Sequence, residues 1–195
     1  LKLRTTIDDF PADRRLWLAH PHGSLTYWSN KEQQFKLNVD DLRDWQVFER
    51  FRNGDLISHP RVVLTTPRDK AHHVQDEPFK IGYEVMRAGL RAADHWLIVG
   101  YSFKDEPVNS ALAEEFARRH VEPKVHVVTY GDELSRTGIE HGLCWEGRSR
   151  SSHGWLSIDE YGALGAEGRE GWFDFVSHAE DDRDSSKTTS ENQAH

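Results

Sequence analysis

Short apolar runs that alternate with helical patterns are the feature of this sequence that most restricts its fold. Four such runs occur, at 16–19, 61–65, 96–99 and 125–128. The clearest, Trp96-Leu97-Ile98-Val99, is uninterrupted, which is typical of a strand covered on both faces. Strands that alternate with helices favour a parallel sheet. We therefore predict an α/β fold: a Rossmann-like parallel sheet with helices on both faces.

Apolar residues at helical spacing occupy much of the chain between these runs. They predict one amphipathic helix over 42–51 and another over 78–93. Asp105 is placed to be the N-cap of a third helix, whose first turn contains Pro107. Ser157 and Glu160 have the spacing of a capping box, which predicts that a further short helix opens there.

The chain has 195 residues, enough for one compact core, and we predict a single domain over 1–176. Residues 177–195 are acidic and contain no large apolar side chain, so we expect them to form a disordered tail. The sequence begins at Leu1 rather than at methionine, which we interpret as a segment of a longer protein.

Charge and composition restrict the class of partner. The 25 Lys and Arg against 33 Asp and Glu give a net charge of −8, which argues against nucleic acid or anionic membrane as the partner. There is no apolar run of about 18 residues and no secretion signal, so we expect a cytoplasmic protein. The single cysteine, Cys144, excludes an internal disulfide and a four-cysteine zinc site.

Polar and glycine-containing segments follow three of the predicted strands, where open parallel sheets bind ligands. These segments are His20 to Leu25, Gly100 to Asp105 and Thr129 to Asp132. A glycine after a strand lets a phosphate or ribose approach the backbone, and a helix N-terminus offers unpaired N–H groups. The pattern therefore fits a nucleotide site, although turn and cap chemistry alone would also explain it.

The order of three motifs resembles a known family. His22-Gly23-Ser24-Leu25 comes first, the Val62-Val63-Leu64 strand follows, and the segment from Ala93 to Asp105 contains Gly100-Tyr101-Ser102-Phe103. Over roughly residues 14–165 the chain is similar to the C-terminal portion of a sirtuin-like (silent information regulator two-like) domain. The Gly-Tyr-Ser-Phe-x-Asp wording most resembles bacterial members that degrade nicotinamide adenine dinucleotide (NAD) in defence against phage.

The resemblance implies NAD as the substrate and its hydrolysis to nicotinamide and ADP-ribose, within a larger defence protein. His22 would be the catalytic base, since imidazole has a reference pKa near 6.5 and accepts a proton near neutral pH. The residues implied to contact NAD are Gly23, Ser24, Gly100, Tyr101, Ser102, Asp105 and Thr129. Of these, Asp105 also fits a purely structural role as the N-cap of a helix.

Two departures from the family pattern limit what this chain is expected to do alone. Residues 25–60 contain no cysteine, so we do not expect a zinc-dependent protein deacylase, nor any metal. The Gly-Ala-Gly-x-Ser phosphate loop and the Gln-Asn-x-Asp segment are also missing before His22. This N-terminal part would lie upstream, in another chain, or be absent. As partners we expect a fused or upstream domain, or a homo-oligomer.

Other interpretations stay open. The main alternative is a catalytically silent module that binds NAD or ADP-ribose, or signals through it. A metal site made of His20, His22, His72 and His73 is disfavoured because no helical i, i+4 pair supports it. We expect Cys144 to fill a core position. Arg148 and Arg150 are expected to lie in a solvated loop rather than at a nucleic-acid contact.

Overall fold

The computed structural model describes residues 3–11, 13–62, 74–131, 134–143 and 155–177. The chain divides into two compact units, Leu1–Gly89 and Leu90–His195. Each unit contains its own three-stranded sheet, and the two sheets differ in type: the first is antiparallel and the second is parallel.

The first unit is built around strand β1 (Gly23–Ser29). It pairs on one side with β2 (Gln34–Lys36) and on the other with β3 (His59–Val62), both antiparallel. Two short helices follow β2, α1 (Val39–Asp44) and α2 (Val47–Arg52), separated by Gln46 in the left-handed region at φ 51°. Trp28 of β1 is buried against the rings of Phe48 and Phe51 of α2, at 5.4 and 5.8 Å between ring centroids. This aromatic cluster packs α2 against the sheet.

Three predictions for the first unit need correction. The run at 16–19 is not a strand: Leu16 and Leu18 are largely exposed, and residues 13–22 contain no strand. The strand predicted at 61–65 is observed as His59–Val62 and pairs antiparallel with β1, while residues 63–65 lie outside the described chain. The helix predicted over 42–51 is two helices, because the chain turns at Gln46.

The second unit contains the parallel sheet. Strands β4 (His95–Val99), β5 (Lys124–Val128) and β6 (Leu156–Asp159) pair in the order β4-β5-β6. Helix α3 (Phe79–Ala92) runs from the first unit to the start of the second, α4 (Glu106–Ala117) joins β4 to β5, and α5 (Arg136–Gly142) lies between β5 and β6. A further helix, α6, covers 170–177. The predicted α/β class with a parallel sheet flanked by helices is confirmed.

One face of the parallel sheet carries the core of this unit. Alternate residues of the three strands point to this side, namely Trp96, Val125, Val127 and Leu156. They pack against Leu112 and Phe116 of α4 and Ile139 of α5. Glu115 of α4 is also buried, and its carboxylate accepts hydrogen bonds from Arg91 Nε at 3.0 Å and Nη2 at 2.8 Å. A buried carboxylate is tolerated because it is paired in this way.

The opposite face is covered by α6 over a buried histidine. His126 of β5 lies against the rings of Trp172 and Phe175, with 6.2 and 5.5 Å between centroids. Its Nδ1 is 2.6 Å from Ser157 Oγ, and its Nε2 has no hydrogen-bond partner within the described ranges. A Cβ on Gly171 would lie 3.2 Å from the imidazole, so a glycine there lets α6 approach closely.

Two predictions for this unit are wrong. Ser157 does not open a helix but lies in β6, because parallel pairing with β5 and the bond to His126 outweigh the local capping signal. Strand β4 is not covered on both faces: Leu97 and Val99 remain 45% and 51% exposed. The reason is that α6 has only eight residues and is about 12 Å long. Its Phe175 contacts His126 and His95 rather than Leu97 and Val99.

The burial of His126 predicts how stability depends on pH. Burial lowers the pKa of His126, the Asp159 carboxylate raises it and Arg169 lowers it, for a net decrease from its usual 6.5. Below about pH 6.5 the unfolded chain therefore binds a proton that the folded chain does not. As the pH is lowered below this value, we expect the free energy of unfolding to fall by up to about 1.4 kcal/mol per pH unit.

Urea unfolding of His126→Gln and of the matched variant His120→Gln between pH 5 and 7 checks this expectation. His120 is exposed, so its variant should retain the slope of the parent protein, whereas His126→Gln should flatten it. The same slope in both variants would contradict the role given to His126.

Candidate functional site

The carboxyl ends of β4 and β5 place two of the predicted site residues side by side. Gly100 follows β4, and its N–H donates to the Val128 carbonyl at 2.9 Å. Thr129 follows β5, and its N–H donates to the Asp159 carbonyl at 2.7 Å. Because Val99 and Val128 are paired in register, Gly100 and Thr129 lie at the same edge of the sheet. We call this the carboxyl edge, defined by Gly100–Asp105 and Thr129–Tyr130.

Gly100 leaves the backbone accessible at this edge. It is exposed and has φ +64°, a conformation that glycine adopts without strain. No described heavy atom beyond its chain neighbours lies within 4 Å of the position that a Cβ would take. A ligand therefore has room to approach the main chain directly at Gly100.

The loop that follows Gly100 is held by internal hydrogen bonds. The Tyr101 hydroxyl lies 2.7 Å from Asn109 Oδ1, to which it donates, and 3.0 Å from the Asp105 carbonyl oxygen. Asn109 Nδ2 donates to the Phe103 carbonyl at 2.8 Å, which supports Phe103 in the left-handed region at φ 55°. Tyr101 thus acts through its hydroxyl to fix the loop, while its half-buried ring packs at 4.8 Å on Phe103.

Asp105 ends this loop as the N-cap of α4, as predicted. Its buried carboxylate accepts from the Val108 N–H at 3.3 Å, and Pro107 occupies the first turn. The cap sets the start of a twelve-residue helix at the carboxyl edge. Ser102, three residues earlier, is exposed there. Contact of Ser102 or Asp105 with a ribose or phosphate stays a prediction.

Two exposed tyrosines extend the carboxyl edge, and their role was not predicted. Tyr130 and Tyr161 are 86% and 78% exposed and form a β-bridge with each other. Arg169 is paired with Asp159 and lies 5.9 Å from the centre of the Tyr161 ring. A tyrosine stands two residues after the last residue of each parallel strand, at 101, 130 and 161. This regularity is visible in the sequence once β6 is located.

His22, Gly23 and Ser24 lie in the first unit, at the start of an antiparallel strand. They were expected after a parallel strand, so this placement is a correction. The His22 ring is half-buried and stands edge-on to Tyr83, with 6.1 Å between centroids. Ser24 Oγ is 2.9 Å from Thr26 Oγ1 and accepts from the Thr26 N–H at 3.2 Å. The Ser24 hydroxyl is therefore already hydrogen-bonded within β1.

Packing alone requires glycine at position 23, independently of any ligand. Its φ is +79°, and a Cβ there would stand 2.2 Å from the carbonyl oxygen of Arg61 and 2.7 Å from the Phe79 ring. Only glycine fits where β1 meets β3 and α3. The eight predicted site residues thus form two groups, three in the first unit and five at the carboxyl edge of the second.

Several sequence predictions fall on residues outside the described ranges. These are the loop with His72 and His73, the core position of Cys144, the arginines at 148 and 150, and the tail from 178 onward. Within the described ranges, no group of three or more His, Cys, Asp or Glu side chains could hold a metal ion. None of the described helices has the length and apolar character needed to cross a membrane.

Comparisons with known proteins give no relative: no protein-family model, curated protein or solved structure matches this chain. The sirtuin-like resemblance therefore rests on the motifs quoted above. The class that the structure itself defines is an α/β protein with a parallel sheet and a ligand-accessible carboxyl edge.

The close fit at Gly23 yields a stability prediction. Gly23→Ala adds both left-handed strain and a clash with the Arg61 carbonyl, and we expect it to cost about 3 kcal/mol or more. Gly54→Ala is the matched control, because Gly54 has nearly the same φ, +80°, with open space around it. Strain alone should cost that variant about 1 kcal/mol. Urea unfolding compares the two, and equal losses would show that the contact with β3 is unimportant.

Proposed function

We propose that this protein binds NAD, with the ADP-ribose part at the carboxyl edge, and hydrolyses it to nicotinamide and ADP-ribose. The observation that carries the proposal is the accessible backbone at Gly100 beside Thr129, at the carboxyl ends of β4 and β5. Open parallel sheets bind nucleotides at this position, at the carboxyl ends of their strands. A role in phage defence follows from the resemblance and belongs to the same proposal.

The side chains at the carboxyl edge suit the separate parts of ADP-ribose. Ser102 and Thr129 bring hydroxyl groups that can hydrogen-bond ribose or phosphate oxygens. Tyr130 and Tyr161 expose ring faces on which an adenine would stack. The internal bonds of Tyr101 and Asn109 hold the loop in one geometry before the ligand arrives, which reduces the entropy lost on binding.

The sirtuin-like resemblance assigns His22 the role of base in the proposed reaction. Cleavage of the bond between nicotinamide and the ribose passes through an oxocarbenium-like state. Water adds to the ribose carbon as the bond to the nicotinamide nitrogen breaks, the bond electrons leave with neutral nicotinamide, and His22 accepts the proton of the water. A half-buried imidazole at the surface of the first unit is accessible to such a water.

The second candidate is a module that binds NAD or ADP-ribose without cleaving it. The placement of five of the eight predicted residues at one edge of the second unit favours it, because that edge needs no catalytic group to bind. Measurement of nicotinamide release separates the two candidates, since a silent module binds the dinucleotide and releases nothing.

The binding part of the proposal predicts that hydroxyl groups at the carboxyl edge contribute to affinity. Ser102→Ala and Thr129→Val each remove one hydrogen-bonding group, and we expect the Kd for NAD to rise about five- to tenfold. Ser110→Ala is the control, because Ser110 lies on α4 and its hydroxyl donates to Glu106 instead. Titration calorimetry with NAD and with ADP-ribose measures these changes. Unchanged affinity in both edge variants would contradict the proposed site.

The catalytic part predicts that nicotinamide release depends on His22. His22→Ala should abolish release, resolved by chromatography, while NAD still raises the thermal unfolding midpoint of the protein. His120→Ala, a change at an exposed histidine of the other unit, should leave release unchanged. Binding of NAD without release by the parent protein would establish the silent module.

A further inference from the structure

The first unit contains a cavity of about 600 Å³ that none of the predicted site residues lines. One wall is the irregular N-terminal segment, with Arg4, Phe10, Arg14 and Trp17. A second wall is the sheet, with Tyr27 of β1 and Lys36 of β2, and Ile81 and Gly82 of α3 also line the cavity. This volume is within the range of pockets that bind small organic ligands. We call it the N-terminal cavity.

The charge of the N-terminal cavity is opposite to that of the chain as a whole. Arg4, Arg14 and Lys36 line it, and no Asp or Glu is among the described lining residues. The sequence carries a net charge of −8, whereas the charged residues of the described lining are all cationic and give a locally positive field. Such a field favours an anionic ligand. Arginine in particular suits phosphate, because its planar group donates two parallel hydrogen bonds.

Aromatic rings stand beside these cations. Phe10 and Trp17 contact each other with 5.3 Å between ring centroids, and Arg4 lies 4.5 Å above the Phe10 ring. The Trp17 indole is held in place by a hydrogen bond from Nε1 to the Pro11 carbonyl at 3.0 Å. On the other wall, Lys36 Nζ lies 5.9 Å from the centre of the Tyr27 ring. Rings on both walls offer apolar faces to a planar group.

Close packing behind the cavity keeps its inner wall in place. Gly82 of α3 is buried, and a Cβ there would stand 2.9 Å from Pro21 Cα, so the helix approaches the chain before β1 as closely as glycine allows. Burial also raises the pKa of Tyr27, against a smaller lowering by Arg4. The phenol is therefore neutral at physiological pH and retains its O–H donor.

We propose that the N-terminal cavity binds a nucleoside monophosphate, with the phosphate held by Arg4 and Arg14 and the base against the aromatic rings of the lining. Lys36 adds to the positive field from the sheet side. The proposal is independent of NAD binding, because it rests on residues of the first unit only and includes none of the residues assigned to the carboxyl edge.

Titration calorimetry of the full chain with AMP and UMP, and with adenosine and inorganic phosphate as separate arms, tests the proposal. Both monophosphates should bind, and AMP should bind at least about tenfold more tightly than adenosine or phosphate alone, because charge-assisted bonds and ring contacts then act together. Raising the salt concentration from about 0.05 to about 0.3 M should weaken the binding of AMP and leave the binding of adenosine nearly unchanged.

Variants then locate the bound monophosphate. Arg4→Gln and Arg14→Gln should each raise the Kd for AMP about tenfold. Arg50→Gln is the matched control, because it removes the same charge from an exposed position of α2 that does not line the cavity, and it should leave AMP binding unchanged. Ser102→Ala should also leave AMP binding in the N-terminal cavity unchanged, although we expect it to weaken the binding of NAD.

Three results would overturn the proposal: absence of monophosphate binding, equal losses in Arg4→Gln, Arg14→Gln and Arg50→Gln, or loss of AMP binding in Ser102→Ala alone. The last result would assign the nucleotide to the carboxyl edge and support the NAD site while removing the cavity site. Loss of NAD binding in Ser102→Ala together with loss of AMP binding in Arg4→Gln would support both sites separately.

Discussion

The parallel pairing of β4, β5 and β6 is the constraint on which the proposed NAD site depends. Because the three strands run in the same direction and in register, the residues that follow each of them lie at one edge. Gly100 and Thr129 are adjacent there only because Val99 pairs with Val128. The capped N-terminus of α4 is placed at the same edge by the short, internally bonded loop after Gly100. An antiparallel sheet would send alternate strand ends to opposite sides.

Sequence reasoning located this part of the chain because its signals are local and mutually consistent. Strands β4 and β5 are runs of apolar residues, and Asp105 with Pro107 marks the start of α4. The sixth strand was missed, although Leu156 and Ile158 alternate with Ser157 and Asp159 in the two-residue period of a strand. The capping-box spacing of Ser157 and Glu160 instead favours a helix over the same residues. Pairing with β5 then decides the conformation, and sequence alone does not show which strand is available as a partner.

The first unit was predicted less well because its strands are held by long-range contacts. The run at 16–19 is apolar yet exposed, whereas β1 begins only at Gly23, where close contact with Arg61 and Phe79 requires glycine. The pairing of β1 with residues 59–62 joins residues that are thirty or more positions apart. The candidate base His22 was identified by its neighbour Gly23, and the structure gives that glycine a packing role of its own. The cationic lining of the N-terminal cavity was not predicted, since Arg4, Arg14 and Lys36 are separated in sequence and meet only in the folded unit.

Hydrogen exchange of the backbone amides with and without NAD is the most direct test of the central claim, that the dinucleotide binds at the carboxyl edge. We expect slower exchange at residues 100–108 and 129–131 when NAD is present. These residues include Gly100, the first turn of α4 and the backbone beside Tyr130. Binding with no change in exchange at either segment would contradict the account and would place the NAD site elsewhere in the molecule.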